Sequence, residues 1–318
     1  MIATGIDRIY SIFLSWRSKQ YMERMVFVAA IFFFLMHCLI ILIMNSGWSH
    51  QQNPDYFQAI PDLLSAIYTP FSIILLYEIY SLIYHLTQSI TIYIAKQYEI
   101  IALIVIRGLF DNLAKASDHI DRFDPTDLYG LLISFGGLIL LLLLIFCFYK
   151  LSGTKNLRTS LHPPKLTAKQ SRYITIKKVI SLFLIASFAV LFFHSFGELR
   201  NIETITFTEL VSMFKKMSYQ FFNHFFTILI LTEVLLLLFT FNLTEHFDKV
   251  IRNSGFILST ILLKLSFRTE GWISISLILL AVLFGVVIEA IYKLYEKKLE
   301  QIDCRNCQSE VPPDTSSE

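Results

Sequence analysis

The sequence predicts an all-α membrane protein: a polytopic bundle of transmembrane helices in two four-helix repeats. Three observations predict it. The chain of 318 residues is 55% hydrophobic and 16% charged, with a mean hydropathy of +0.58. A water-soluble domain carries about 25% charged residues. Long apolar segments lie at about 24–44, 62–86, 128–149, 178–196, 219–241 and 272–292, each near or above the ~20 residues that cross a bilayer. Finally, the run Phe71-Ser-Ile-Ile-Leu-Leu-Tyr-Glu78 recurs as Phe226-Thr-Ile-Leu-Ile-Leu-Thr-Glu233. Each copy sets a carboxylate inside an apolar helix, where an ionisable group is costly and faces a protein interior or a water-filled path.

Residues 1–23 form an amphipathic N-terminal segment. Ile6, Ile9, Phe13 and Trp16 fall near one side of a helix, with Arg8, Arg17 and Lys19 elsewhere. That pattern predicts an interfacial helix on an anionic leaflet. The polar start and the long first apolar stretch do not fit a cleavable signal peptide.

The first repeat spans 24–150. Loop charge sets its span count. Residues 150–178 carry Lys150, Lys155, Arg158, Lys165, Lys169, Arg172, Lys177 and Lys178 without an acid, which predicts a cytoplasmic position. The N-terminal Arg8, Arg17, Lys19 and Arg24 predict the same side, and the 45–57 loop, without Lys or Arg, the opposite one. An even number of spans between the two basic regions is therefore required. The short apolar run Ile100–Phe110 supplies it, as a third span over about 94–114. The acidic stretch 111–127 then lies outside. Pro61 suits a helix first turn, Pro70 predicts a kink before Glu78, and Gly136-Gly137 permits close helix approach.

A basic linker, 151–177, joins the second repeat, 178–293. There Glu245, Asp248, Lys249 and Arg252 predict an inside turn, Phe256–Phe267 a short span and Arg268–Gly271 a tight outside turn. The tail, 294–318, begins with Lys297 and Lys298 and reads as disordered from 308 onwards. Eight spans result, with both termini cytoplasmic. The alternative is six spans plus two interfacial helices, with the repeats inverted.

Each intramembrane carboxylate precedes a basic residue in the next apolar segment: Arg107 after Glu78, Lys264 after Glu233. Residues equidistant from the turn of a helix hairpin lie at similar depth, so the sequence predicts two level charge pairs. Pairing offsets much of the ~2.5–3.5 kcal/mol that each lone charge costs on insertion scales. The expected roles are an ion or proton pathway, or a structural ion pair that fixes helix packing. His37 and His194 occupy corresponding positions in the first helix of each half and are candidate relay residues.

This order of features resembles the phosphate-starvation-inducible PsiE family. The match is best over 60–149, in Tyr77-Glu78-Ile79, Lys96-Gln-Tyr, Ile104-Val-Ile-Arg107 and Asp124-Pro-Thr-Asp127-Leu. It is weaker in the second half, through Thr232-Glu233-Val234, Arg252 and Lys264. Family members are short four-helix inner-membrane proteins, and this chain carries two such units. The resemblance implies a bacterial inner-membrane location and a link to phosphate stress.

Several classes find no support. There is no Gly-rich phosphate loop, nucleophile elbow, HExxH or dinucleotide turn, so no enzyme activity and no cofactor is expected. Cys304 and Cys307 have zinc-ligand spacing, but a closed site needs four ligands, and no metal is expected without a second chain. The expected partners are the bilayer, anionic headgroups at the basic linker and a second copy in a homo-oligomer; nucleic acid is not expected. The sequence thus predicts a membrane protein with an ion or small-solute pathway. The alternative is a non-conducting stress-response protein whose cytoplasmic segments recruit partners.

Overall fold

The computed structural model describes residues 2–45, 66–118, 125–153, 168–199, 221, 223–239, 247–269 and 271–309. Among these, regular structure is helical and no strand occurs. The helices are α1 (Ile2–Phe13), α2 (Trp16–Asn45), α3 (Tyr68–Leu86), α4 (Ile90–Asp118) and α5 (Pro125–Ser152). They continue as α6 (Ala168–Leu199), α7 (Asn223–Phe239), α8 (Phe247–Ser266) and α9 (Gly271–Ser309). Among the described residues, four stretches are long and apolar enough to cross a bilayer: Asp7–Ile43, Leu128–Ser152, Tyr173–His194 and Gly271–Lys298. Lipid offers no hydrogen bonds, so a chain this apolar satisfies its backbone internally as helix.

Local sequence sets the breaks. Ser15 starts α2, its Oγ accepting from the Ser18 backbone N–H at 3.1 Å, as an N-cap serine does. Thr87–Ser89 turns α3 into α4. Gly271, with φ at 66°, takes a conformation that other residues adopt rarely and lets α8 fold back into α9.

α3 packs on α2, α4 and α6; α4 on α5; and α9 on both α5 and α8. Aromatic contacts seal the centre. Phe148 of α5 stands edge-on to Tyr98 of α4 at 5.2 Å and to Phe256 of α8 at 5.9 Å. Phe188 of α6 stands edge-on to Phe225 of α7. Glycines admit the closest helix crossings: Gly137 lies against Ile275, Gly255 against Ile288, and Gly285 directly beneath the Tyr98 phenol. Outside, Phe27, Phe32 and Leu39 of α2 and Leu132, Ile139 and Phe146 of α5 are exposed. An apolar exterior of this extent calls for lipid as solvent.

One end of the bundle is polar and carries Lys19 and Lys178. Lys178 pairs with Asp7 of α1 at 2.7 Å. Lys19 lies 3.0 Å from His85 Nε2, and the Tyr10 hydroxyl lies 2.7 Å from Thr87 Oγ1. On α1, Ile9 and Phe13 are exposed, as is Trp16 at the start of α2.

Several sequence expectations change. Pro70 falls in the first turn of α3, where its missing N–H has no helical acceptor to lose, so it does not kink the helix interior. Asp248, Lys249 and Arg252 belong to the start of α8 rather than to a turn, and the basic linker shortens because α6 begins at Ala168. The tail is helical through Ser309, so Cys304 and Cys307 sit on a helix. Pro61, the 45–57 loop beyond Asn45, Glu245 and residues 310–318 lie outside the described residues.

Candidate functional site: a buried carboxylate between the two halves

Glu233 lies in the middle of α7, 5% exposed, in a cage drawn from α4 and α8. Tyr93 and Gln97 are one turn apart on α4 and therefore share a face. The Tyr93 hydroxyl donates to Glu233 Oε1 at 2.9 Å, and the Gln97 amide donates to the same oxygen. Gln97 Oε1 in turn accepts from Thr260 Oγ1 of α8 at 2.9 Å. Thr260 has a second acceptor for its one proton, the Phe256 carbonyl at 3.1 Å. Gln97 and Thr260 are both essentially fully buried. Behind them Tyr98 donates to Ser259 at 2.9 Å, and Ser259 donates to the Ala281 carbonyl at 2.8 Å.

The other carboxylate oxygen, Oε2, is buried without a hydrogen-bond partner, and so is Asn253 Oδ1. Both residues line one cavity of about 40 Å³, walled by Leu86, Ile90, Leu236 and Phe256. Lys177 of α6 lines it too, its ammonium held by the Gln88 carbonyl at 2.9 Å and set 5.0 Å from the Tyr173 ring centre. The Thr87–Ser89 turn therefore lies beside the Lys177 ammonium. Glu233 lies level with Gln97, ~10 Å into α4 from that turn at 1.5 Å per residue.

The predicted level charge pairs are not what the structure builds. Ion pairs among the described side chains are Lys96–Glu99, Lys178–Asp7 and Lys293–Glu296. Lys264 donates instead to Thr227 at 2.7 Å, ~9 Å along α7 from Glu233. Register is the cause. Phe226 of α7 meets Phe267 near the α8 end with ring centres 5.1 Å apart, which brings Thr260, one turn before Lys264, to the depth of Glu233. In the first half Phe71 meets Phe110 at 5.5 Å, which sets Arg107 about one turn away from the depth of Glu78. Glu78 enters none of the ion pairs among the described side chains, and its Oε2 is buried without a hydrogen-bond partner.

The two carboxylates also do not share one internal site. Glu78 faces α2, in a groove of about 500 Å³ with Gln20, Glu23, Arg24 and Tyr77, and Tyr77 donates to Glu23 at 3.3 Å. The proposed relay pair is likewise separated. His37 Nδ1 lies 2.7 Å from Thr69 Oγ1 of α3, and His194 is exposed on α6.

Sequence reasoning missed Tyr93, Gln97, Asn253, Thr260 and Lys177. Their signal was available as polar residues at helical spacing: Tyr93 and Gln97 one turn apart, Asn253 and Thr260 two turns apart. Comparison of the chain with protein-family models, with curated proteins and with solved structures returns no match.

Proposed function

We propose that this protein is an integral membrane protein of the bacterial inner membrane, with a tandem PsiE-like architecture, in which Glu233 is the internal charge of a cation pathway. One observation carries the reading. A buried carboxylate accepts two neutral hydrogen bonds on one oxygen, leaves the other unpartnered beside a cavity, and has no ion pair among the described residues. A lone buried charge is unfavourable unless a proton or another cation joins it.

Repeated contacts support the tandem architecture. The ring contact Phe71–Phe110 has its counterpart in Phe226–Phe267. Tyr149-Lys150-Leu151 near the end of α5 recurs as Tyr292-Lys293-Leu294 in α9. The tyrosine of each copy reaches the charged start of the preceding hairpin helix, Tyr149 donating to Glu99 and Tyr292 lying 4.1 Å beneath Arg252. Eight spans then place both termini, α1 and the basic residues of α6 on the cytoplasmic side, in accord with the positive-inside rule.

The test is cation flux into liposomes that contain purified protein, wild type beside Glu233→Gln. Flux falling by about tenfold or more, as loss of an essential site charge requires, supports the pathway. Equal flux from both proteins overturns it and favours a structural, non-conducting role.

A further inference from the structure

The groove between α2 and α3 combines both signs of charge. It measures about 500 Å³ and is lined by Gln20, Glu23, Arg24, Phe27, Tyr77 and Glu78. That volume lies within the range of small-molecule sites. Glu23, Arg24 and Glu78 enter none of the ion pairs among the described side chains. Glu23 and Arg24 are exposed on α2, and Glu78 is half-buried. Glu78 Oε2 is buried without a hydrogen-bond partner. Glu78 therefore acts on the groove through its charge, while the exposed Glu23 is placed for contact.

Depth decides which molecule meets it. Met25–Met44 of α2 carries no Asp, Glu, Lys or Arg, and at 1.5 Å per residue it covers the ~30 Å hydrocarbon core. Glu23 and Arg24 immediately precede that run, so they stand at headgroup level. The Tyr77 hydroxyl donates to Glu23 at 3.3 Å, which puts Tyr77 and Glu78 of α3 at the same level. Phe27, one turn deeper on α2, is exposed, and Val26 and Ile74 join it in the wall. A lipid seated here has its headgroup beside the charges and an acyl chain along the apolar wall.

Charge selects the headgroup. A phosphodiester matches Arg24, whose planar fork suits such oxygens. A primary ammonium matches the carboxylates and brings three donors; a trimethylammonium brings none. An anionic headgroup without an amine would set like charge against Glu23 and Glu78. We infer that Glu23, Arg24 and Glu78 form a binding site for an aminophospholipid of the phosphatidylethanolamine class, in the leaflet on the α1 side. The site stands independently of the pathway reading at Glu233.

The test is native mass spectrometry of full-length protein in detergent with equimolar phosphatidylethanolamine, phosphatidylcholine and phosphatidylglycerol of the same acyl chains. Wild type is expected to retain phosphatidylethanolamine about tenfold over phosphatidylcholine, the worth of one charge-assisted hydrogen bond. Glu23→Gln is expected to bring the two to parity, and Glu78→Gln to narrow the gap. Arg24→Gln is expected to weaken both alike, since the phosphate is common to them. Asp7→Asn, whose carboxylate lies outside the groove, is expected to leave the preference unchanged. Equal retention of the two zwitterionic lipids by wild type overturns the site, as does a preference for phosphatidylglycerol. A preference that survives Glu23→Gln also overturns it, and because Glu23 is exposed that variant leaves the packing intact. Displacement by soluble phosphoethanolamine at the same concentration overturns the lipid as occupant.

Discussion

Tyr93 of α4 donates its phenolic hydrogen to Glu233 of α7 across 2.9 Å, a buried bond between residues that sit in opposite halves of the chain. The site around Glu233 is therefore not the property of one repeat. The first half supplies Tyr93 and Gln97, and the second supplies Glu233, Asn253 and Thr260.

Tyr93→Phe should lower stability by about 0.6–1.7 kcal/mol, the range of side-chain hydrogen bonds between membrane helices. Unfolding of the purified protein in mixed detergent measures it. The companion double-mutant cycle with Glu233→Gln should give a coupling energy of similar size, since the residues touch. Additive effects would mean that the bond contributes nothing.

Gly285→Ala should destabilise the bundle by about 1–3 kcal/mol, as overpacking does. The new methyl meets the Tyr98 hydroxyl first and its ring next. Adding Tyr98→Phe removes the first clash and should recover part of the loss. A double variant less stable than Gly285→Ala alone would contradict the crossing described here.

Asp7→Asn should change stability by less than about 1 kcal/mol, since its pair with Lys178 is exposed and solvent-screened. The bond from the Tyr80 hydroxyl to the Phe13 carbonyl at 2.6 Å holds α1 more firmly. Tyr80→Phe should therefore release α1, read as faster proteolysis near the N-terminus. Equal proteolysis in wild type and Tyr80→Phe would show that α1 is held by other means.

Span count has a direct test. In eight spans the end of α4 is extracytoplasmic, and in six it is cytoplasmic. Asp118→Cys should therefore react with a membrane-impermeant maleimide in intact cells that carry the protein. Cys304 and Cys307 should react only in inverted vesicles. The opposite pattern at position 118 would favour six spans.

Much of the scaffold was legible. Apolar runs of about 20 residues dictate helices in lipid wherever they occur, and α2, α5, α6 and α9 coincide with the predicted segments. The short run Phe256–Phe267 was legible as apolar but not in length, because α8 begins with Asp248, Lys249 and Arg252. Their charges mask a helix start when hydropathy is the guide.

The sequence by itself determined that the chain is helical, that lipid is its solvent and that Glu233 must lie where protein shields it. These follow from composition and local periodicity. Tertiary structure decided who meets Glu233. One helical turn is about 5.4 Å, and a register shift of that size exchanges Lys264 for Thr260. That shift is set by Phe226 against Phe267 and by where α8 begins. The partners Tyr93 and Gln97 come from a helix remote in the chain, and no local pattern states that α4 packs beside α7. A charge pair expected from spacing thus became a hydrogen-bonded cage with one buried, unpartnered oxygen.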